Sequence, residues 1–119
     1  MRVTKMTLNR RLRRVLGRRV VLEAAGYCDE EGRLQAVCGQ MIRVSGQLFV
    51  QRNLDQIIIP RGCARRPGCR VTVRTAHDRT VRGRLVQIGR DFVELTQHLG
   101  RCRHLTLIPL GQVISIEQD

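Results

Sequence analysis

Apolar and polar residues alternate along much of this chain, most clearly in its second half. In "RVTVRT" (70–75) the valines stand at every second position, the period of a strand with one buried face. "VRGRLVQIG" (81–89) alternates again with Gly83 inside it, where a missing side chain permits a sharp bend or bulge. "DFVELT" (91–96), "LTLIPL" (105–110) and "VISIE" (113–117) read as three more strands, "AHDRT" (76–80) as a turn and "QHLGRCRH" (97–104) as a loop. Five short strands with a strongly bent second one suit a small barrel whose sheet curls onto itself. Near the amino terminus the period changes. "TLNRRLRRVLG" (7–17) places Leu8, Leu12, Val15 and Leu16 on one stripe, predicting an amphipathic helix with Thr7 as N-cap and Gly17 as stop.

The first half repeats the second. "GRLQAVCGQMIRV" (32–44) returns as "GRLVQIGRDFVEL" (83–95), an offset of 51 from Gly32 to Gly83. No gap is needed from Gly17 to Val44, and an ungapped match with glycines in phase marks two copies of one unit. Further on, Ile58-Ile59-Pro60-Arg61-Gly62 lies over Leu107-Ile108-Pro109-Leu110-Gly111, which lowers the offset to 49. On that alignment Gln56 to Pro60 is the fourth strand of copy one, and "ARRPG" (64–68) stands where its fifth should be, with a proline to interrupt it. The expected organisation is a mainly β chain: a basic helix (1–16), copy one (17–66) and copy two (67–119), each copy a five-stranded bent-sheet barrel. Leu34, Val37, Val71, Val73, Leu85, Ile88, Phe92 and Ile108 are its expected core.

A helix followed by five bent strands, with "GRLVQIGRDFVEL" in the middle and "IPLGQVISI" at the end, resembles the Sm-like (LSm) superfamily. The second copy is the better match, and tandem copies bring the chain nearest in character to Sm-like repeat proteins of spore-forming bacteria, spore coat proteins among them. The resemblance implies barrels that associate edge to edge, the fourth strand of one against the fifth of the next. It also implies a single-stranded RNA site, but the residues for one are not legible here. An Asn usually follows the Asp of the central motif; this chain has Asp91-Phe92-Val93-Glu94, and copy one has Gln40-Met41-Ile42-Arg43 with no Asp. The second RNA-contacting motif, Ile-Arg-Gly, survives only as Ile59-Pro60-Arg61-Gly62, and copy two has Leu110 in place of the arginine.

Charge adds a second theme. The 119 residues carry a formal net charge of +12, and residues 1–19 hold Arg2, Lys5, Arg10, Arg11, Arg13, Arg14, Arg18 and Arg19 with no acid. Such a segment suits a polyanion partner, whether RNA or other nucleic acid, an anionic membrane surface or an acidic protein, although it equally suits a solvated helix face. The expected polyanion contacts are Arg10, Arg11, Arg13, Arg14, Arg18, Arg19 and Arg61, which would neutralise phosphates without reading sequence. Aromatic side chains for base stacking are few: Tyr27, Phe49 and Phe92, the last better placed in the core.

Catalysis finds no footing: there is no nucleophile with its base, no carboxylate pair and no glycine-rich phosphate loop, so neither enzymatic activity nor a cofactor is expected. Cys28, Cys38, Cys63, Cys69 and Cys102 include no Cys-x-x-Cys pair, and His98, Cys102 and His104 lack a fourth ligand, so no metal is expected either. No apolar run approaches a membrane span and the basic start lacks the apolar core of a signal peptide. A cytoplasmic protein with reduced thiols, possible association with a spore included, is the expectation. Its expected role is structural: a homo-oligomer, ring or filament, in which an open strand carrying Ile57, Ile58 and Ile59 meets Val113 and Ile114 of a neighbouring chain.

Overall fold

Thr7 opens helix α1 (Leu8–Arg13) in the computed structural model, which describes residues 2–24, 29–62, 68–100 and 102–119. Its backbone is extended and its hydroxyl accepts the Arg10 N–H at 3.3 Å, while the Asp91 carboxylate accepts the Leu8 N–H at 2.7 Å. Two acceptors therefore serve donors that a helix start leaves unpaired. Gly17, at φ +84°, turns the chain away in a conformation that suits glycine. The buried stripe is Leu8, Leu12 and Val15; Leu16, expected on it, falls beyond the helix and is exposed. Thr7→Ala is expected to lower stability by about 1 kcal/mol in a urea melt. An unchanged midpoint would mean that Asp91 alone holds the first turn.

The strands of the first half are β1 (Arg19–Glu23), β2 (Glu30–Cys38), β3 (Met41–Val44), β4 (Gln47–Val50) and β5 (Gln56–Pro60). Those of the second are β6 (Arg70–Thr75), β7 (Thr80–Ile88), β8 (Phe92–Leu99), β9 (Cys102–Pro109) and β10 (Val113–Gln118). All ten form one open antiparallel sheet in the order β10-β6-β7-β8-β9-β5-β1-β2-β3-β4. Each half thus has the same internal order, its last strand placed beside its first, and a short 3-10 turn (Gln51–Asn53, Leu110–Gln112) precedes that last strand in both.

The likeness extends to single hydrogen bonds. Gly17 N–H donates to the Leu34 carbonyl at 2.8 Å and Leu34 N–H to that of Arg18 at 2.9 Å; Gly68, Leu85 and Cys69 repeat the exchange at 2.8 and 2.9 Å. The register of β2 against β3 shifts between Leu34 and Ala36, and that of β7 against β8 between Leu85 and Gln87, the matching place. A bulge at each site strengthens the local twist. Gly32 and Gly83 serve close approach: a Cβ there would collide with the Ser45 hydroxyl in one half and the Thr96 carbonyl in the other.

Where the halves differ, the alignment beyond Val44 needs correction. Gln56–Pro60 is the fifth strand of the first half, not its fourth: Ile57 pairs with Leu22 on β1 as Ile116 pairs with Val73 on β6. From Ile57 to Ile116 the offset is 59, so it rises along the chain instead of falling to 49. The cause is the hairpin between, which runs from Met41 to Val50 in one half and from Phe92 to Pro109 in the other. Ten residues do the work of eighteen. Copy one therefore has its closing strand, and residues 64–67, expected to stand in its place, lie outside the described residues. "QHLGRCRH" is no loop either: Gln97↔His104, His98↔Arg103 and Leu99↔Cys102 are paired to the tip of the long hairpin.

Ten strands about 4.8 Å apart would make a flat ribbon over 40 Å wide and about 10 Å thick. The actual extents, 39 × 31 × 28 Å, require a strongly coiled sheet. Two clusters fill it. One joins α1 and the first half to Phe92, Leu105 and Leu107 of the second; the other holds Val71, Val73, Val81, Leu85, Val93, Leu95 and Ile108. Leu34, Val37, Val71, Val73, Leu85, Phe92 and Ile108 are buried as expected, and Ile88 is half-buried.

Candidate functional site

Three features gather the residues on which function could rest: the sheet edges, the junction between the repeats, and the arginine-rich surfaces. At the centre of the sheet β5 pairs with β9, bringing Ile57 opposite Leu107, Ile58 opposite Thr106 and Ile59 opposite Leu105. Its other side pairs with β1. Ile57, Ile58 and Ile59 are thus covered on both sides within the chain and are not an open edge. The reason is register: they belong to a closing strand, and the partner expected from another molecule is supplied by the same one.

Among the described residues the unpaired edges are β4 and β10. Val113 and Ile114 lie on β10, Val113 half-buried against the second core and Ile114 68% exposed. On β4, Leu48 is 58% exposed and Phe49 half-buried. Beside β4 runs a cleft of about 510 Å³ lined by Leu22, Ala24, Leu48, Phe49, Val50 and Leu54 among others. The sequence reading missed this edge, since "QLFV" is short and its turn, Ser45-Gly46, follows Val44 directly. Both turn residues have positive φ (51° and 80°), the signature of a tight hairpin.

The junction is built by α1 and the turns around it. Met6 O accepts the Arg90 N–H at 2.8 Å, and residues 2–4 run beside Ile88. Arg11 donates to Glu94 from Nε at 2.7 Å and from Nη2 at 3.1 Å; Gln87 also donates to Glu94, at 3.0 Å, and accepts from the Thr4 hydroxyl at 2.8 Å. Glu94 is buried and Arg11 is half-buried. Arg11 is therefore a tie between helix and second repeat, not a solvent-facing cation. On the other side the β6–β7 turn reaches the first repeat, His77 Nδ1 lying 2.9 Å from buried Asp55 and Arg79 3.1 Å from Glu23. Gln51, buried behind β4, donates to Asn9 at 2.6 Å, and Asn9 donates to the Gly39 carbonyl. Neither Gln51 nor Asn9 carried any periodic or motif signal in the sequence.

The turns before and after each of the two hairpins meet here. Arg90, Asp91 and Pro109 to Gly111 face Gly39, Gln40, Gln51 and Arg52 across a cleft of about 440 Å³. Asp91 is spent on capping α1. Arg61 is not at this place: it follows β5 at the far end of that strand, at φ +59°, and the structural counterpart of Leu110-Gly111 is Gln51-Arg52.

The remaining expected cations are exposed. Arg10, Arg13 and Arg14 lie on the outer face of α1. Arg18, Arg19 and Arg61 line a different cleft with Arg33; Arg18 donates to the Pro60 carbonyl at 3.4 Å and Arg19 lies 2.8 Å from Glu31. Tyr27, Cys28 and Cys63 lie outside the described residues; Cys38, Cys69 and Cys102 are free thiols. Among the described residues no three His, Cys, Asp or Glu side chains gather as a metal would need, and no helix is long and apolar enough to cross a membrane. No family model, curated protein or solved structure matches the chain.

Proposed function

We propose that this is a non-enzymatic assembly protein of tandem Sm-like barrels, of the kind that builds a bacterial spore coat, whose chains join head to tail by setting β10 of one against β4 of the next. The β5–β9 joint carries the reading: it is the same union of a closing strand with a fourth strand, already made once inside the chain. Transposed through the repeat, it sets Ile116, the counterpart of Ile57, against Leu48, the counterpart of Leu107. Unpaired strand edges with exposed apolar side chains invite such pairing. The short β4 offers a smaller contact than β9 does, so the joint between chains is weaker than the one within. The measurement is light scattering at micromolar concentration. The native chain is expected to have the mass of a multimer, and Leu48→Glu with Ile114→Glu, both at exposed positions, to give a folded monomer. A monomeric native chain would overturn the proposal.

A second reading, electrostatic binding of RNA or another polyanion, is favoured by one observation. Arg10, Arg13, Arg14, Arg18, Arg19 and Arg61 are all exposed, and Arg19 is the one of them within a salt bridge of an acid among the described residues. Binding of that kind gives affinity that falls steeply with salt and little choice of sequence.

A further inference from the structure

Two arginines of the Arg18 cleft, Arg19 and Arg33, have counterparts among the described residues of the second repeat. That cleft, about 580 Å³, lies where β1 begins, beside Gly32 of β2 and Ser45 at the end of β3. A second cleft of about 360 Å³ occupies the same place in the second repeat, beside Gly83 and Thr96. Arg19 and Arg33 of the first match Arg70 and Arg84 of the second, 51 residues on, and Ser45 stands at the sequence position of Thr96. The poses match as well: Arg33 Nη1 donates to the Gly17 carbonyl and Arg84 Nη1 to the Gly68 carbonyl, both at 3.4 Å.

We infer that these are twin anion-binding clefts, one per repeat, which together hold the phosphodiester backbone of a single-stranded nucleic acid. The inference rests on the second reading above for its class of ligand, and moves the contact from the helix to the clefts. Charge supports it. The first cleft sets four arginines (Arg18, Arg19, Arg33, Arg61) against Glu31, and the second sets Arg70, Arg82 and Arg84 against Asp119. Each guanidinium has five donors in a planar fork suited to phosphate, and a carbonyl at 3.4 Å occupies only one of them. The exposed Arg19–Glu31 pair contributes little and yields easily to a stronger anion. Two sites of one design on one chain fit a ligand whose charge recurs at a fixed interval. The linings carry no Phe, Tyr or Trp, and a single imidazole, His98 in the second, so little base stacking is available and sequence is weakly read at most.

The test is fluorescence anisotropy of a labelled polyuridylate oligomer over a salt series, on the full chain. Four variants are compared with the native chain: R19Q/R33Q/R70Q/R84Q; the same four positions changed to Lys; R33Q alone; and R10Q/R13Q/R14Q. Native binding is expected to weaken linearly in log–log form, equally for polyadenylate. The four-Gln variant should lose about 2 to 3 from the slope, near 0.7 for each phosphate contact removed from a single strand. Lysines should restore the slope, R33Q alone should lose about one contact's worth, and the helix variant should keep the native slope. If the helix variant flattens the slope and the cleft variants do not, the clefts are overturned while the polyanion reading survives. A native chain that does not bind overturns both. Polyglutamate competing as well as RNA per unit charge would overturn the phosphodiester assignment.

Discussion

Phe92→Ala is expected to destabilise the chain by about 3 to 5 kcal/mol, the range for removing a large buried aromatic. The ring is fully buried and among the largest side chains that are. Its position makes the loss more than local. Phe92 starts β8, in the second repeat, yet its ring belongs to the core of α1 and the first repeat, with Leu8, Leu12 and Ile42 in the same cluster. Gly89 leaves room for it, since a Cβ there would strike the ring. Truncation therefore opens a cavity where the repeats meet, and urea unfolding should lose cooperativity as well as midpoint. A loss below about 1 kcal/mol, the middle of the range for any substitution, would place the ring outside the joint.

Glu94→Ala should be nearly as severe, at about 3 to 5 kcal/mol, because it strands a mostly buried charge. Glu94 is 3% exposed, and the Arg11 guanidinium that it receives is only 13% exposed. Without the carboxylate, that cation and the Gln87 amide both lose an acceptor that water cannot readily replace. The double variant Arg11→Met with Glu94→Leu should recover most of the loss, since an apolar pair of similar volume removes the desolvation penalty along with the attraction. Chemical denaturation of the two single variants and Arg11→Ala/Glu94→Ala closes a double-mutant cycle. Strictly additive losses would show that the two side chains do not act as a pair.

The second repeat was the legible one. Its strands keep strict alternation, and the spans expected at 70–75 and 113–117 meet β6 and β10 almost residue for residue. The hairpin tip escaped because Gln97, His98 and Arg103 are polar on an exposed extension, where pairing needs no apolar face. The first repeat misled for a local reason. Pro60 and Pro109 both end a strand and both stand two residues before a glycine, so similar strand-ending chemistry imitated equivalent position. With β5 taken for a fourth strand, the open edge was assigned to Ile57, Ile58 and Ile59, and "QLFV" went unread. The stripe that buries Leu8, Leu12 and Val15 was plain from spacing. The inward turn of Arg11 was not, because its partner lies 83 residues away and only the fold brings them together. Glu94 is that partner.

The central β5–β9 joint fixes the parity of anything built by repeating it. Each chain brings two units already joined, so a ring closed through β10 and β4 holds an even number of them, and sevenfold closure is out of reach. In such a ring alternate seams would also differ in how they respond to dilution. The one between β5 and β9 is tethered, its effective concentration set by the linker and not by the solution; one between chains would not be. Dilution would part every second seam and release whole chains, never a lone repeat.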